Sequence, residues 1–390
     1  MGFAQAETAN PRMLVIARES RSMTQAQLAA VMQKLEGSAS RVSQGYVSRA
    51  EAGRLAVTGD RLEYYAHALG YPISLLCLTE QGVGAGAGLI HHRKKQAAAA
   101  GDLKRIHALL NLTRIQLKGL TATAPLPVSG GFPRITVDDL NTPADAARAV
   151  REHLSAGHGP LDSVTGLIEA TGTLVVRREL VAPMPLDSGA ETVPIDAVSC
   201  SPDVEKPLVL LNIGTPAERQ RFTLAHELGH MVMHRIPHPD QEKQANSFAA
   251  ELLMPIRGIR GALQSHPLSV GRLLDIKKEW KVSMWALLRR AHTLGVISDW
   301  QYRSLAVEMS SLGYRTTEPS TLEPEIPTAV DSIVTWHVSR GTDVPELARS
   351  AYLTPDEFVS LYAVGPLRDA ACSEDPCIRR SGPTRREDVR

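Results

Sequence analysis

Apolar positions along this chain recur mostly at a helical period, and one central stretch breaks into short runs of strand length. MLVIARESR predicts a first helix. Thr24 opens a second as its N-cap, with Leu28, Ala29 and Met32 spaced for one buried face. SQGYVSRAEAG predicts a third, beginning at Ser43 and closed by Gly53, with Val47 and Leu28 in the core. DRLEYYAHALG and ISLLCL supply two more short helices. Gly82 to Gly88 then reads as a flexible break, and a basic, helix-compatible stretch runs from Leu89 to Leu120 through His91, His92, Arg93, Lys94 and Lys95. The Pro- and Gly-rich TATAPLPVSGGFPRI marks a second boundary.

Beyond it the pattern is mixed. DDLNTPADAARAVREHL and PLDSVTGLIEATG fit amphipathic helices, the latter ended by Gly172. TLVVRREL, IDAVSCS and PLVLLNI fit strands. ERQRFTLAHELGHMVMH returns to the helical period, and so does everything from Gln241 to about Ser311. After the link TTEPSTLEPEIP a last helical segment reaches Tyr362, with Leu347, Leu353 and Phe358 placed for a core. Trp280, Trp285 and Trp300, at near-helical spacing, are expected in the interior. The predicted class is mainly α with a small β-sheet (α+β). Its parts are a helical domain over 11–78, a linker over 79–137, a mixed domain over 138–319, a helical subdomain over 320–365 and a disordered tail over 366–390.

Composition narrows the picture. With 390 residues, 43% hydrophobic and 22% charged, the chain suits two or three soluble domains, and a net charge of +1 argues against a uniformly basic nucleic-acid binder while permitting one locally basic domain. No apolar run approaches membrane-spanning length, and MGFAQAETANPRM lacks the basic start and apolar core of a secretion signal, so a cytoplasmic protein without a membrane partner is expected. Cys77, Cys200, Cys372 and Cys377 are too scattered for a disulfide framework; the last two read as a reduced pair in the tail.

Chemistry concentrates in one pentapeptide. His226, Glu227 and His230 form HExxH within a helical run. Two histidines four residues apart share a helix face and can reach one ion, and Glu227 sits where it can take a proton from an attacking water. A catalytic zinc site needs a third protein ligand. His234 lies eight residues from His226, roughly 12 Å along the axis, too far to converge with both histidines on one helix. Glu242, opening the next helix with Asn246 one turn on to orient a ligand, is the preferred candidate. Glu251, further along the same helix, is the alternative.

RQRFTLAHELGHMVMH followed by EKQANSFAAELLMP closely resembles the ImmA/IrrE family of zinc metallopeptidases, over roughly 138–319. The resemblance implies a gluzincin-like domain in which His226, His230 and Glu242 bind Zn2+ and Glu227 is the catalytic acid/base, with repressor proteins as the substrate class. Gln244 departs from the family, where an acidic residue is common.

The five N-terminal helices, with Thr-Gln opening the second and Ser-Gln the third, resemble the lambda-repressor-like, or XRE-type, helix-turn-helix. That likeness implies a homodimer on a DNA operator, with the third helix in the major groove. Gln44 would read an adenine and Arg49 a guanine; Tyr46 would meet a thymine methyl or the backbone; Ser43 and Gln25 would hold phosphates. The connection QKLEGSASRV is longer than the usual tight turn. The sequence therefore points to a transcriptional regulator carrying a metallo-endopeptidase that acts on itself or a partner repressor. The alternative is a transcription factor or antitoxin-like regulator whose metal domain senses or only supports.

Overall fold

The computed structural model describes residues 7–37, 40–79, 90–92, 100–124, 131–180, 195–200, 206–235 and 238–362. The expected tail, Cys372, Cys377 and the basic residues Arg93, Lys94 and Lys95 lie outside them. The fold is mainly helical with a small mixed sheet, the α+β class expected.

The first five helices are α1 (Pro11–Ser20), α2 (Gln25–Glu36), α3 (Gln44–Glu51), α4 (Asp60–Leu69) and α5 (Ile73–Leu76). Local chemistry sets their ends. Asn10 caps α1 with Pro11 at its first turn, Thr24 and Gln27 form a reciprocal capping box on α2, and the Ser43 side chain caps α3. Beyond the end of α3, Gly53 takes φ +69°, which a side chain would resist. Met13, Leu28, Met32, Val47, Leu62 and Leu69 close the interior, and Arg18 binds Glu51 through Nε at 2.6 Å to tie α1 to α3.

Next come β1 (Ile90–His92) and α6 (Ala100–Thr121). Here the sequence expectation needs correcting: Ile90, His91 and His92 form a strand. The edge of another strand offers them hydrogen-bond partners that a short, Gly-flanked helix start could not match. Helix α6, inside the segment read as a linker, is also no surface spacer. It packs against α1, and Ile106, Leu110, Leu117 and Leu120 are buried.

Helices α7 (Pro143–His153) and α8 (Val164–Glu169) precede strands β2 (Leu174–Arg178), β3 (Ala197–Cys200) and β4 (Leu208–Asn212). α7 starts later than the pattern suggested, because Asp138 Oδ1 accepts from the amides of Leu140 and Asn141 and folds that stretch as a turn. Strand order is β1-β3-β4-β2, with β1/β3 and β3/β4 antiparallel and β2/β4 parallel. The period-two alternation of β4 divides the interior. Leu208 and Leu210 join α6 and the N-terminal helices in one core, while Val209 and Leu211 join the second.

The second core is built from α9 (Ala217–Met233), α10 (Gln241–Leu253), α11 (Ile256–Gln264), α12 (Val270–Trp280), α13 (Met284–Thr293) and α14 (Asp299–Ser311). Helix α9 is buried almost throughout, as expected for a helix covered by a sheet on one side and helices on the others. Trp280 is interior and Trp285 partly so, but Trp300 is 76% exposed, against expectation. Leu305 and Met309 set the inward face of α14, and Trp300 falls about 140° round the helix from Leu305.

Residues 317–328, without helix or strand, cross back to α15 (Ala329–Val338), α16 (Val344–Ser350) and α17 (Pro355–Tyr362), which close the first core. Leu347, Leu353 and Phe358 are buried there as expected. Two carboxylates anchor the crossing. Glu318 receives Lys277 Nζ at 2.9 Å and the Met284 amide at 2.9 Å. Glu325 receives the amides of Val164 at 3.0 Å and Thr165 at 2.6 Å, and pairs with the buried Arg221.

Candidate metal centre

Helices α9 and α10 lie side by side, and Gly229 marks a point where they touch. A Cβ there would stand 2.9 Å from Phe248 Cδ1, so the glycine permits the close approach. One turn of α9 places His226 and His230 on a common face, and the first turn of α10 brings Glu242 opposite. The Nε2 atoms of His226 and His230 are 3.0 Å apart, and Glu242 reaches them with Oε2 at 3.4 Å and Oε1 at 3.3 Å. Both histidines are fully buried, whereas the Glu242 side chain is 46% exposed and forms the open side. Among the described residues this trio could hold a metal ion, with ligand atoms all within 4.8 Å of one another.

Hydrogen bonding around the trio decides what those atoms can do. Gln244 Oε1 accepts only, so His234, at 2.8 Å, presents Nε2–H to it and keeps a lone pair on Nδ1. That lone pair accepts from His230 Nδ1–H at 3.0 Å, leaving a lone pair on His230 Nε2. Likewise His226 donates Nδ1–H to Asn246 Oδ1 at 3.2 Å, leaving a lone pair on its Nε2. Two lone pairs and a carboxylate therefore face one point at close range, an arrangement that repels unless a cation joins it. Four-coordinate ligand atoms with bonds of about 2.0–2.1 Å lie about 3.3–3.4 Å apart, close to the spacings found. The residues fit a divalent ion. Protons on the imidazoles are the other way to relieve that repulsion: burial works to raise the Glu242 carboxyl, but charged rings donating to it outweigh burial and hold the group well below the ordinary carboxylate range. Burial also lowers the His234 pKa, which favours the neutral ring this relay requires.

Other candidates take different places. Glu251, the alternative ligand, is only 2% exposed and pairs with Arg290, with Arg148 Nη1 at 3.4 Å; it belongs to the core and stands outside the trio. Glu227 is fully buried beside the ligands and accepts from Ser199 Oγ at 2.5 Å, which ties it to β3. Ser199, His234 and Gln244 were not read as site residues from the sequence. For His234 the signal was present, since it stands four residues after His230, where one helix turn brings side chains together.

Residues 180–292 match the family model of the IrrE N-terminal-like domain, Peptidase_M78. This segment, from the end of β2 into α13, is metallopeptidase-like and contains the whole trio, Glu227 and Asn246. No curated protein matches the chain.

On the N-terminal helices, Gln44 Nε2 donates to Gln25 Oε1 at 2.8 Å, and Gln25 Nε2 donates to Glu51 at 2.9 Å, so these two candidates form one polar relay across α2 and α3. Gln44, Ser43 and Arg49 are exposed. Arg49 folds back along α3 to donate to the Gly45 carbonyl at 3.2 Å, and Ser43 Oγ is engaged as the α3 cap. Tyr46 is half-buried with the Arg61 guanidinium 5.1 Å over its ring, which limits how far it can reach outward.

Proposed function

We propose that this chain is a DNA-binding transcriptional regulator whose second core is a zinc metallo-endopeptidase acting on a repressor, another copy or another partner protein. The observation that carries the hydrolase half is the convergence of His226, His230 and Glu242 lone pairs beside Glu227. Bound there, Zn2+ would supply Lewis acidity that lowers the pKa of a coordinated water from 15.7 toward about 7. Asn246 and the His234–Gln244 relay hold the imidazole tautomers and ring orientations, and Glu227 receives and returns the proton of the attacking water. The DNA-binding half is supported by capped α2 and α3 and by the exposed Gln44 and Arg49, which suit a homodimer reading paired half-sites of an operator. No helix among the described residues is long and apolar enough to cross a membrane; a cytoplasmic location accords with the regulatory role.

A second reading has its own support. The Glu227 carboxylate is bonded to Ser199 and fully buried, a posture that suits a metal domain serving as a sensor. One experiment separates them. Glu227→Gln should retain one equivalent of zinc and lose hydrolysis of a protein substrate such as casein. Equal regulation in cells by wild type and Glu227→Gln, with no hydrolysis from either, would establish the sensor and end the peptidase reading.

A further inference from the structure

Beside the metal centre opens a cleft of about 1060 Å³ that the site chemistry above does not use. It adjoins the trio: Lys243 follows Glu242, Asn246 holds His226, and Phe222 lies one turn before His226 on α9. Its far wall is formed by α13, α14 and the crossing segment, with Trp285, Tyr302 and Tyr314. One end of the cleft is therefore formed by the residue that holds His226, while the ligands themselves are not part of its lining.

The charges on its surface are unequal once the internal pairs are set aside. Arg219 is matched by Asp196 at 2.9 Å, and Arg290 by Glu251. Glu218 and Glu318 both bind the buried Lys277, at 2.8 and 2.9 Å, leaving one residual negative charge turned into the protein. Lys243, Arg289 and Arg315 remain at the surface of the cleft. Among the described residues Lys243 and Arg289 form no ion pair. Arg315 donates to Ser310 Oγ at 3.0 Å and lies 5.7 Å over the Trp285 ring. The crossing segment is itself an acidic extended chain seated on this domain through Glu318 and Glu325, each carboxylate received by helix N-terminal amides and a buried cation.

We propose that this cleft is a substrate subsite selecting an extended peptide that carries carboxylates and apolar side chains on one side of the bond to be cut. The proposal rests on the peptidase reading and names its substrate class. The carboxylates meet Lys243 and Arg289 at the rim, and the apolar groups lie on Trp285, Tyr302 and Phe222. Three surface cations concentrated at one mouth also draw such a chain in before contact.

The test is binding, so it does not depend on turnover. The full-length Glu227→Gln chain, loaded with zinc, is titrated into two fluorescein-labelled peptides of one sequence, differing only in glutamate or glutamine at alternate positions, and followed by anisotropy. The glutamate peptide should bind about tenfold tighter at low salt, with the difference largely removed at about 0.5 M NaCl. Adding Lys243→Glu and Arg289→Glu should abolish the preference while zinc content and melting temperature stay unchanged. Equal binding of the two peptides, no binding of either, or a preference that survives the double reversal overturns the proposal. Casein hydrolysis by the zinc-loaded wild type reports separately on the peptidase reading. Hydrolysis without a glutamate preference removes the subsite and keeps the enzyme. A glutamate preference without hydrolysis removes the enzyme and, with it, the cleft's role as a substrate subsite.

Discussion

Replacing Gly229 by alanine tests whether the metal centre depends on how closely α9 and α10 pack. An added Cβ would stand 2.9, 3.1 and 3.3 Å from Cδ1, Cγ and Cβ of Phe248. Carbon atoms settle at about 3.5–4.0 Å, so Phe248 must retreat by at least about 0.5 Å. Phe248 is fully buried, and its Cβ is among the crowded atoms, so ring rotation alone cannot relieve the contact and α10 must move. Overpacking of this kind costs about 1–3 kcal/mol, and the better helix propensity of alanine returns about 1 kcal/mol. Net stability should therefore fall by no more than about 2 kcal/mol. Zinc affinity should suffer more, because Glu242 and Asn246 ride on α10 and ligand distances tolerate only about 0.2 Å. A loss of about 10–100-fold is expected. Competition with a chromophoric chelator gives the affinity, and urea melts of the metal-free chain give the stability. Wild-type zinc affinity in Gly229→Ala would refute the claim that this contact positions the ligands.

Glu325→Gln leaves the buried Arg221 without its carboxylate and should cost about 3–5 kcal/mol at neutral pH in urea melts. Although burial works to raise the Glu325 carboxyl, Arg221 and the helix amides hold it below its ordinary value of 4.5. Its stabilisation is therefore complete above that value and lost as pH falls through the lowered one, so the variant should lose less stability than wild type as pH falls below 4.5. Gly119→Ala would place a Cβ 1.8 Å from the Ser350 carbonyl oxygen and should destabilise by about 1–3 kcal/mol, with faster amide exchange in α16; unchanged exchange there would contradict the packing. Arg49→Ala should weaken binding to a fragment of the protein's own promoter by about 1–3 kcal/mol in an anisotropy titration; unaltered affinity would remove Arg49 from the readout.

Much of this architecture was legible because single residues carry it. Thr24 with Gln27, Ser43 and Gly53 announce the ends of α2 and α3 through interactions local to the chain. Strands β2, β3 and β4 were visible as apolar runs, and HExxH exposed two of the clustered side chains. What stayed hidden depends on partners distant in sequence. His91 and His92 become a strand only because β3 offers an edge. α6 reads as a basic linker until its apolar positions meet α1 and the C-terminal helices. Trp300 looked interior by spacing, but Leu305 and Met309 decide which face of α14 turns inward. At the metal centre, Ser199 lies 28 positions before Glu227, and no local pattern connects them.

A consequence follows from the placing of β4. Alternate side chains of one five-residue strand serve the two halves of the molecule, so neither half can melt without stripping the other of its wall. Tension reaching the N-terminal helices, for instance if two copies straddle an operator as proposed, would be transmitted through α6 into the same strands that back α9. On the proposed function, a regulator built this way would have a mechanical route for letting DNA occupancy be felt at the candidate metal centre, with no messenger needed between them.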